Sequence, residues 1–193
     1  MTRLPLIAIT GGIGAGKSVV SNVLRVMGYE VFDCDSEAKI IMDSDVEIKH
    51  RLITEISPLS VSSDGIIDRR HISSVVFSDK SKLEQLNSIV HTAVRQRIIQ
   101  WRSEPHKSDR LFVETAILYQ SGLDALVDEV WDVIAPDEIR IMRVINRNKC
   151  DRSAVIDRIK SQSFLPENPH PRISTIVNDG FTAVIPQILD LLK

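Results

Sequence analysis

Residues 4–20 read LPLIAITGGIGAGKSVV, and three patterns meet in that run. Leu4 to Thr10 is a continuous β-prone apolar stretch, the mark of a strand buried on both faces. Gly11-Gly12-Ile13-Gly14-Ala15-Gly16-Lys17-Ser18 matches G-x-x-x-x-G-K-[ST] in full. From about Lys17 to Met27 the apolar spacing becomes helical. Glycines let the backbone curl until successive N–H groups face one anion, and the start of the helix adds its positive end. Strand, glycine-rich turn and helix in that order predict a phosphate-binding loop. Nucleotide contacts are expected from Gly11, Gly12, Ile13, Gly14, Ala15, Gly16, Lys17, Ser18 and Val19. Lys17 is expected to reach the β- and γ-phosphates, and the Ser18 hydroxyl to complete Mg²⁺ coordination. The loop specifies a ligand, not a reaction, because kinases, GTPases and ATPase motors share it.

Downstream of that loop the texture stays α/β at first. Tyr29–Phe32 reads as a second strand, closed by Asp33-Cys34-Asp35-Ser36, where Asp35 or Ser36 is placed to cap a helix through Ile41. The carboxyl end of such a strand borders the ligand crevice of an open α/β sheet. If the strand continues, Asp33 and Asp35 point to one side. One of them can take or orient the proton of an attacking hydroxyl, the other helping through water or Mg²⁺; the alternative is that both only cap a helix. Cys34 between them reads as a small buried apolar residue. Between Ser44 and Trp101 helical spacing dominates, over Val46–Ile56, Arg69–Phe77 and Lys82–Trp101, with a loop at Ser57–Ile67. Strand patterns return at Leu111–Glu114, Val130–Ala135 and Ile173–Val177. Helices are expected from Asp137 to Asn148, from Asp151 to Ser163 and over Thr182–Leu192, with a loop at Phe164–Pro171. Glu114 has two readings: the acid that ends a Walker B strand and holds water on Mg²⁺, or a helix cap or surface carboxylate.

Arg140, Arg143 and Arg147 fall at i, i+3 and i+7 and share one helix face, extended by Lys149, Arg152, Arg158 and Lys160. Phosphoryl transfer needs cationic donors around the equatorial oxygens, and a lid that excludes water favours transfer over hydrolysis. A solvated charged face is the other reading, and Arg147 is the residue singled out for chemistry. His91 lies on the Leu83/Asn87/Val94 side of its helix, and spacing leaves it structural or catalytic. His71 follows Asp68-Arg69-Arg70, where one arginine can meet an acceptor phosphate and the other pair with Asp68. His106 and His170 have no metal-ligand spacing.

Composition narrows the class. The chain has 193 residues, 43% apolar and 26% charged, with a net charge of -2. That suits one domain with a real core and argues against a generalised nucleic-acid or anionic-membrane surface. No apolar run is long enough to span a bilayer, and the N-terminal one is too short for a signal peptide. Two cysteines provide neither a disulfide framework nor a metal cluster, so a reduced, cytoplasmic protein is expected.

Taken together these residues resemble the dephospho-coenzyme A kinase family, over essentially the whole chain. Ile9 to Ser18 looks like that family's ITGGIGSGKS, and Asp33-Cys34-Asp35 falls on its D-x-D. Asp64-Gly65-Ile66-Ile67-Asp68-Arg69 looks like its D-G-x-L-D-R, followed by V-F at Val76-Phe77. His91 matches the histidine of I-x-H-P, and Glu114 with Ile117-Leu118 is a variant of its P-L-L strand end. Arg147 matches the lid arginine, Gln162 the glutamine of R-I-x-x-Q, and Asn178 with Gly180 the terminal I-x-N-x-G. The chain departs at Thr92 and Asn148, where the family has proline and aspartate, at Arg172-Ile173-Ser174-Thr175, and in the proline-rich run after Gln162.

The resemblance implies a P-loop NTPase three-layer α/β fold with a parallel five-stranded sheet. It implies a single kinase domain over residues 1–193, with a helical acceptor-binding insertion at about 44–105 and a lid at about 143–171. It further implies ATP and Mg²⁺, transfer of a phosphoryl group to the ribose 3′-hydroxyl of dephospho-coenzyme A, and Asp33 as base. Lys17 and Arg147 would stabilise the transferring group, with Asp33, Arg69, His91 and Glu114 at the acceptor and Ser18 on the metal. A kinase for another small acceptor, or a nucleotide-binding scaffold, is the competing reading. No D-x-x-G follows a third strand, which argues against a GTPase switch. The expected partner is the small-molecule substrate, without nucleic acid or membrane, in a monomer or weak homo-oligomer.

Overall fold

The computed structural model describes residues 3–162 and 166–193. Strands β1 (Leu6–Thr10), β2 (Glu30–Asp33), β3 (Leu111–Glu114), β4 (Glu129–Ile134) and β5 (Ile173–Val177) form one five-stranded parallel sheet in the order β2-β3-β1-β4-β5. The fold is the expected α/β one. The central strands are near-continuous apolar runs because helices cover both faces of a parallel sheet. On one face, Ile7, Ile9, Phe112, Trp131, Val133 and Ile176 pack with Val20, Leu24 and Ile188. Val20 and Leu24 come from α1 (Lys17–Val26), and Ile188 from α8 (Val184–Leu191). Trp131, with no exposed surface, stacks at a tilt on Phe112 at 5.2 Å between ring centroids, and Tyr29 meets Phe112 edge-on at 5.4 Å.

The chain divides into two compact units. The first, Met1–Asp33 with Glu104–Lys193, holds the sheet. It also holds the packed pair α6 (Asp137–Asn148) and α7 (Arg152–Gln162). Ile141, Val144, Val155 and Ile159 join those two helices, and Ile13 of the glycine-rich loop packs against them. The second unit, Cys34–Ser103, is helical: α2 (Cys34–Ser44), α3 (Val46–Arg51), α4 (Arg69–Ser78) and α5 (Lys80–Ser103). Its own core is Ile48, Leu52, Ile56, Ile67, Ile72, Val76 and Ile89. This unit starts ten residues before the expected Ser44, because α2 belongs to it.

Several boundaries differ from the sequence reading for local reasons. β2 runs straight into α2, so Asp35 and Ser36 lie in a first helical turn rather than capping it, and Asp35 cannot share a strand face with Asp33. The expected single helix Val46–Ile56 breaks at Arg51 into a π-turn, Leu52–Ile56, where Ser57 N–H donates five residues back to Leu52 O at 3.0 Å. Thr182 does not start α8. The Asp179 carboxylate accepts from Phe181 N at 2.9 Å and Thr182 N at 2.7 Å, an Asx turn that delays the helix to Val184. Asp68 caps α4 by accepting from His71 N at 2.9 Å, and Arg69 pairs with Asp43 at 2.8 Å, so the expected arginine pairing of Asp68 is not made. Of the expected loop Phe164–Pro171, Phe164 and Leu165 lie outside the described residues, as does Ser163, the expected end of α7.

Candidate active site

β1 lies at the centre of the sheet with β3 on one side and β4 on the other, the place where the strand order reverses. Ligands of open α/β sheets bind outside the carboxyl ends of the strands at that point. The glycine-rich loop leaves β1 there. Gly16 caps α1 at φ +103°, a left-handed conformation, and a Cβ on it would collide with the Asn178 amide. Gly14 is confined by backbone, since at φ +78° a Cβ on it would collide with the Arg140 main chain. At these glycines the loop presents backbone rather than side chain. That matches a polyphosphate, whose oxygens need N–H donors in a curved row.

Lys17 is half-buried and folds back over the loop, donating from Nζ to Gly11 O at 2.9 Å. Ser18 and Val19 are exposed at the start of α1. Ser18 supplies a hydroxyl at the mouth of the cradle. Asp33 ends β2 and Glu114 ends β3, and the two are register partners, while Glu114 also pairs with Ile9 of β1. Both carboxylates are half-buried, so the carboxyl edge carries oxygen donors beside the loop. Hard oxygen donors of this kind suit Mg²⁺, which binds through few protein ligands and keeps its waters and substrate phosphates. Cys34 is buried as a small apolar residue.

The arginine face of α6 is brought to the loop unevenly. Arg140 donates from Nε to Ile13 O at 3.0 Å and from Nη1 to Asp137 Oδ1 at 2.8 Å. Arg143 donates from Nη1 to Gly14 O and Ala15 O, each at 3.3 Å, and from Nη2 to Asn178 Oδ1 at 3.3 Å. Buried Asn178 completes the clamp, donating from Nδ2 to Ala15 O at 2.9 Å. Arg147 is exposed one turn further on, with Nε on Asn148 Oδ1 at 3.1 Å. Spacing had placed the three arginines on one face. It did not show that Arg140 and Arg143 hold carbonyls of the loop, nor that Asn178 joins them from the end of β5. Asn148-Lys149-Cys150-Asp151 spells N-K-x-D, the pattern by which GTPases read guanine. Here it crosses the end of α6 rather than following a strand, so it carries no guanine reading.

Arg69 and His91 belong to the helical unit. Arg69 sits at the start of α4 on Asp43. His91 is half-buried on α5, and burial, then the nearby Arg95 charge, hold its imidazole below the ordinary histidine range. Among the described residues, no three of His, Cys, Asp and Glu group as a metal site. No helix among them is long and apolar enough to cross a membrane.

The family model for dephospho-CoA kinase (CoaE) matches residues 5–182. The chain belongs to the dephospho-CoA kinase family. The dephospho-CoA kinase of Porphyromonas gingivalis is 40% identical over 97% of this chain and 92% of the relative. That of Bacteroides fragilis is 36% identical over 96% of this chain and 90% of the relative. The crystal structure of TT1252 from Thermus thermophilus superposes with a TM-score of 0.78 at 30% identity, covering 99% of this chain and 95% of that one. The dephospho-CoA kinase of Campylobacter jejuni shares the fold, with a TM-score of 0.68 at 22% identity, covering 97% and 94%. A family model spanning almost the whole chain takes in both units, so the helical one is part of the family's common plan.

Proposed function

We propose that this chain transfers the γ-phosphoryl group of ATP to the ribose 3′-hydroxyl of dephospho-coenzyme A, giving coenzyme A and ADP. One observation carries the reading: a complete phosphate loop leaves the central strand of a family-wide dephospho-CoA kinase fold, with a carboxylate pair at the adjoining strand ends. Asp33 is the base. It accepts the proton of the 3′-hydroxyl as that oxygen bonds to the γ-phosphorus, while the bond from phosphorus to the β–γ bridging oxygen breaks and ADP departs. Backbone N–H groups of Gly12 to Ser18 line the phosphates. Lys17 exchanges its contact with Gly11 O for the β- and γ-phosphate oxygens, and Arg147 approaches the transferring group from α6. When bound, Mg²⁺ would neutralise phosphate charge, with Ser18 holding it and Glu114 orienting its water. Arg69 and His91 are the chain's acceptor-binding residues, and the segment at about 143–171 is its lid. The cytoplasm is the expected compartment, with the protein a monomer or weak homo-oligomer.

Purified protein with Mg-ATP is expected to release ADP only when dephospho-coenzyme A is added, with a 3′-phosphate appearing in matched amount. ATP binding without acceptor-dependent ADP, or stimulation by a nucleoside monophosphate instead, overturns the assignment.

A further inference from the structure

The helical unit has a cleft that the proposed chemistry does not use. It measures about 320 Å³ and lies between α2, α3 and α5. Its floor is the edge of the unit's own core: Ile48 and Ile89 are buried, and Ile41 and Ala93 pack against that core. Ile89, Thr92, Ala93, Gln96 and Gln100 form the α5 side, spaced as one helix face. The charges at the cleft are already engaged. Arg51 donates to Glu55 at 2.6 and 3.1 Å, with the Glu47 charge nearby. Asp45 caps α3 by accepting from Glu47 N and Ile48 N, and Arg97 is not free either. The side-chain amides of Gln96 and Gln100, by contrast, make no hydrogen bond among the described residues. Thr92 Oγ1 accepts from Arg95 at 3.1 Å, which leaves the hydroxyl hydrogen to donate. This hydroxyl stands where the family has proline. An apolar floor edged by neutral amides and a hydroxyl suits an uncharged chain that carries amides, not a phosphate or a metal ion.

We propose that this cleft is the subsite for the pantetheine arm of dephospho-coenzyme A, an uncharged chain with two amides, a hydroxyl and a terminal thiol. This rests on the acceptor reading above and deepens it. Extended, the arm is on the order of 15 Å long. The α5 side from Ile89 to Gln100 is about 16 Å of helix, so the one can lie along the other. The methyl and methylene groups of the arm cover Ile48, Ile89 and Ala93, and its amides exchange hydrogen bonds with Thr92, Gln96 and Gln100. Both acceptor residues border the cleft along the chain. Thr92 follows His91, and Arg69 is held at 2.8 Å by Asp43, which is two residues beyond Ile41. The phosphate end of the arm accordingly enters beside Thr92, and its thiol ends by Gln100.

The first test is steady-state kinetics of the full chain with Mg-ATP and dephospho-coenzyme A. Contacts to the arm are the same in the ground and transition states, so losing them raises KM and spares kcat. The double variant Gln96→Ala with Gln100→Ala is expected to raise the KM for dephospho-coenzyme A about tenfold. Its kcat and its KM for ATP should stay within about twofold of wild type. Both positions are exposed on a helix, where alanine is well tolerated. Gln85→Ala, exposed on the same helix away from the cleft, should match wild type. The second test reads position without turnover. Gln100→Cys is mixed with the disulfide of dephospho-coenzyme A; its thiolate attacks one sulfur, and the other half leaves as a thiol. Mass spectrometry should find it labelled about tenfold faster than Gln85→Cys, because the bound arm raises the local concentration of its own sulfur. An unchanged KM for dephospho-coenzyme A, a fall in kcat without a rise in that KM, or equal labelling of the two cysteine variants overturns the proposal. Turnover by wild type keeps the kinase reading in each of those cases. No turnover of dephospho-coenzyme A by wild type overturns the acceptor reading, and this one with it.

Discussion

Asp33 carries the most specific expectation at the residue scale. It ends β2 in register with Glu114 of β3, and replacing it with asparagine keeps its shape while removing the ability to take a proton. Asp33→Asn is expected to lower kcat by about 10²- to 10⁴-fold. Nucleotide affinity should stay within about twofold if Asp33 is the proposed base, because a group that acts only in the transition state adds nothing to ground-state binding of ATP. Steady-state ADP release and equilibrium ATP binding, measured on one preparation, check both halves. A parallel loss of binding would remove Asp33 from the role of base. Asp33 was legible in the sequence because a polar residue closes an apolar strand. The division of labour with Asp35 was not, because it depends on α2 beginning at Cys34.

Among elements, the loop and α6 act together through Arg143 and Asn178. Asn178 Nδ2 is a buried donor on Ala15 O, and Arg143 joins both partners. Asn178→Ala leaves a buried carbonyl short of a donor and is expected to cost about 1–3 kcal/mol in urea denaturation, together with weaker ATP binding. In a double-mutant cycle with Arg143→Ala, the coupling energy should be about 0.5–3 kcal/mol; additive losses would show that the two side chains act apart. The far end of α6 gives a test of stability alone. Lys149 caps it at φ +52°, the one non-glycine described in the left-handed region. Lys149→Gly removes a strain of about 1–2 kcal/mol and adds chain entropy to the unfolded state, so a net gain of roughly 0.5–1 kcal/mol is expected in the same denaturation experiment.

For the whole molecule, acid sensitivity should follow from how the chain returns to the sheet after its helical excursion. Glu30 of β2 accepts from buried His106 Nδ1 at 2.9 Å and from Lys107 N at 3.1 Å. The His106 hydrogen bond, first of several, holds the Glu30 carboxyl below the ordinary range. A lowered carboxyl contributes stability present above its unfolded value, about 4.5, and lost as pH falls through the folded one. Thermal melts of wild type should therefore fall off below about pH 4.5, and Glu30→Gln should flatten that limb and leave the difference smaller in high salt, since Glu30 is over a third exposed. His91 adds to the same side. Its lowered imidazole favours the neutral form, so its contribution is full above its unfolded value of 6.5 and lost as pH falls through the folded one. An acid limb unchanged in Glu30→Gln would mean that other carboxylates govern it.

The strand Leu6–Thr10, the loop Gly11–Ser18 and the first helix were legible from residue order, because each follows from local rules. These are a buried apolar run, glycines where a Cβ cannot fit, and helical spacing after them. The same rules place Asp33 and Glu114 at strand ends. Which charges meet at the loop was a different matter. Asn178 reaches Ala15 across 163 positions of chain, and Arg143 reaches Gly14 across 129. Periodicity reports which residues share a face of one element, and it is silent on which elements are neighbours. Long-range strand order and helix packing made that choice, and with it the choice of Arg140 and Arg143, ahead of Arg147, as the residues that hold the loop.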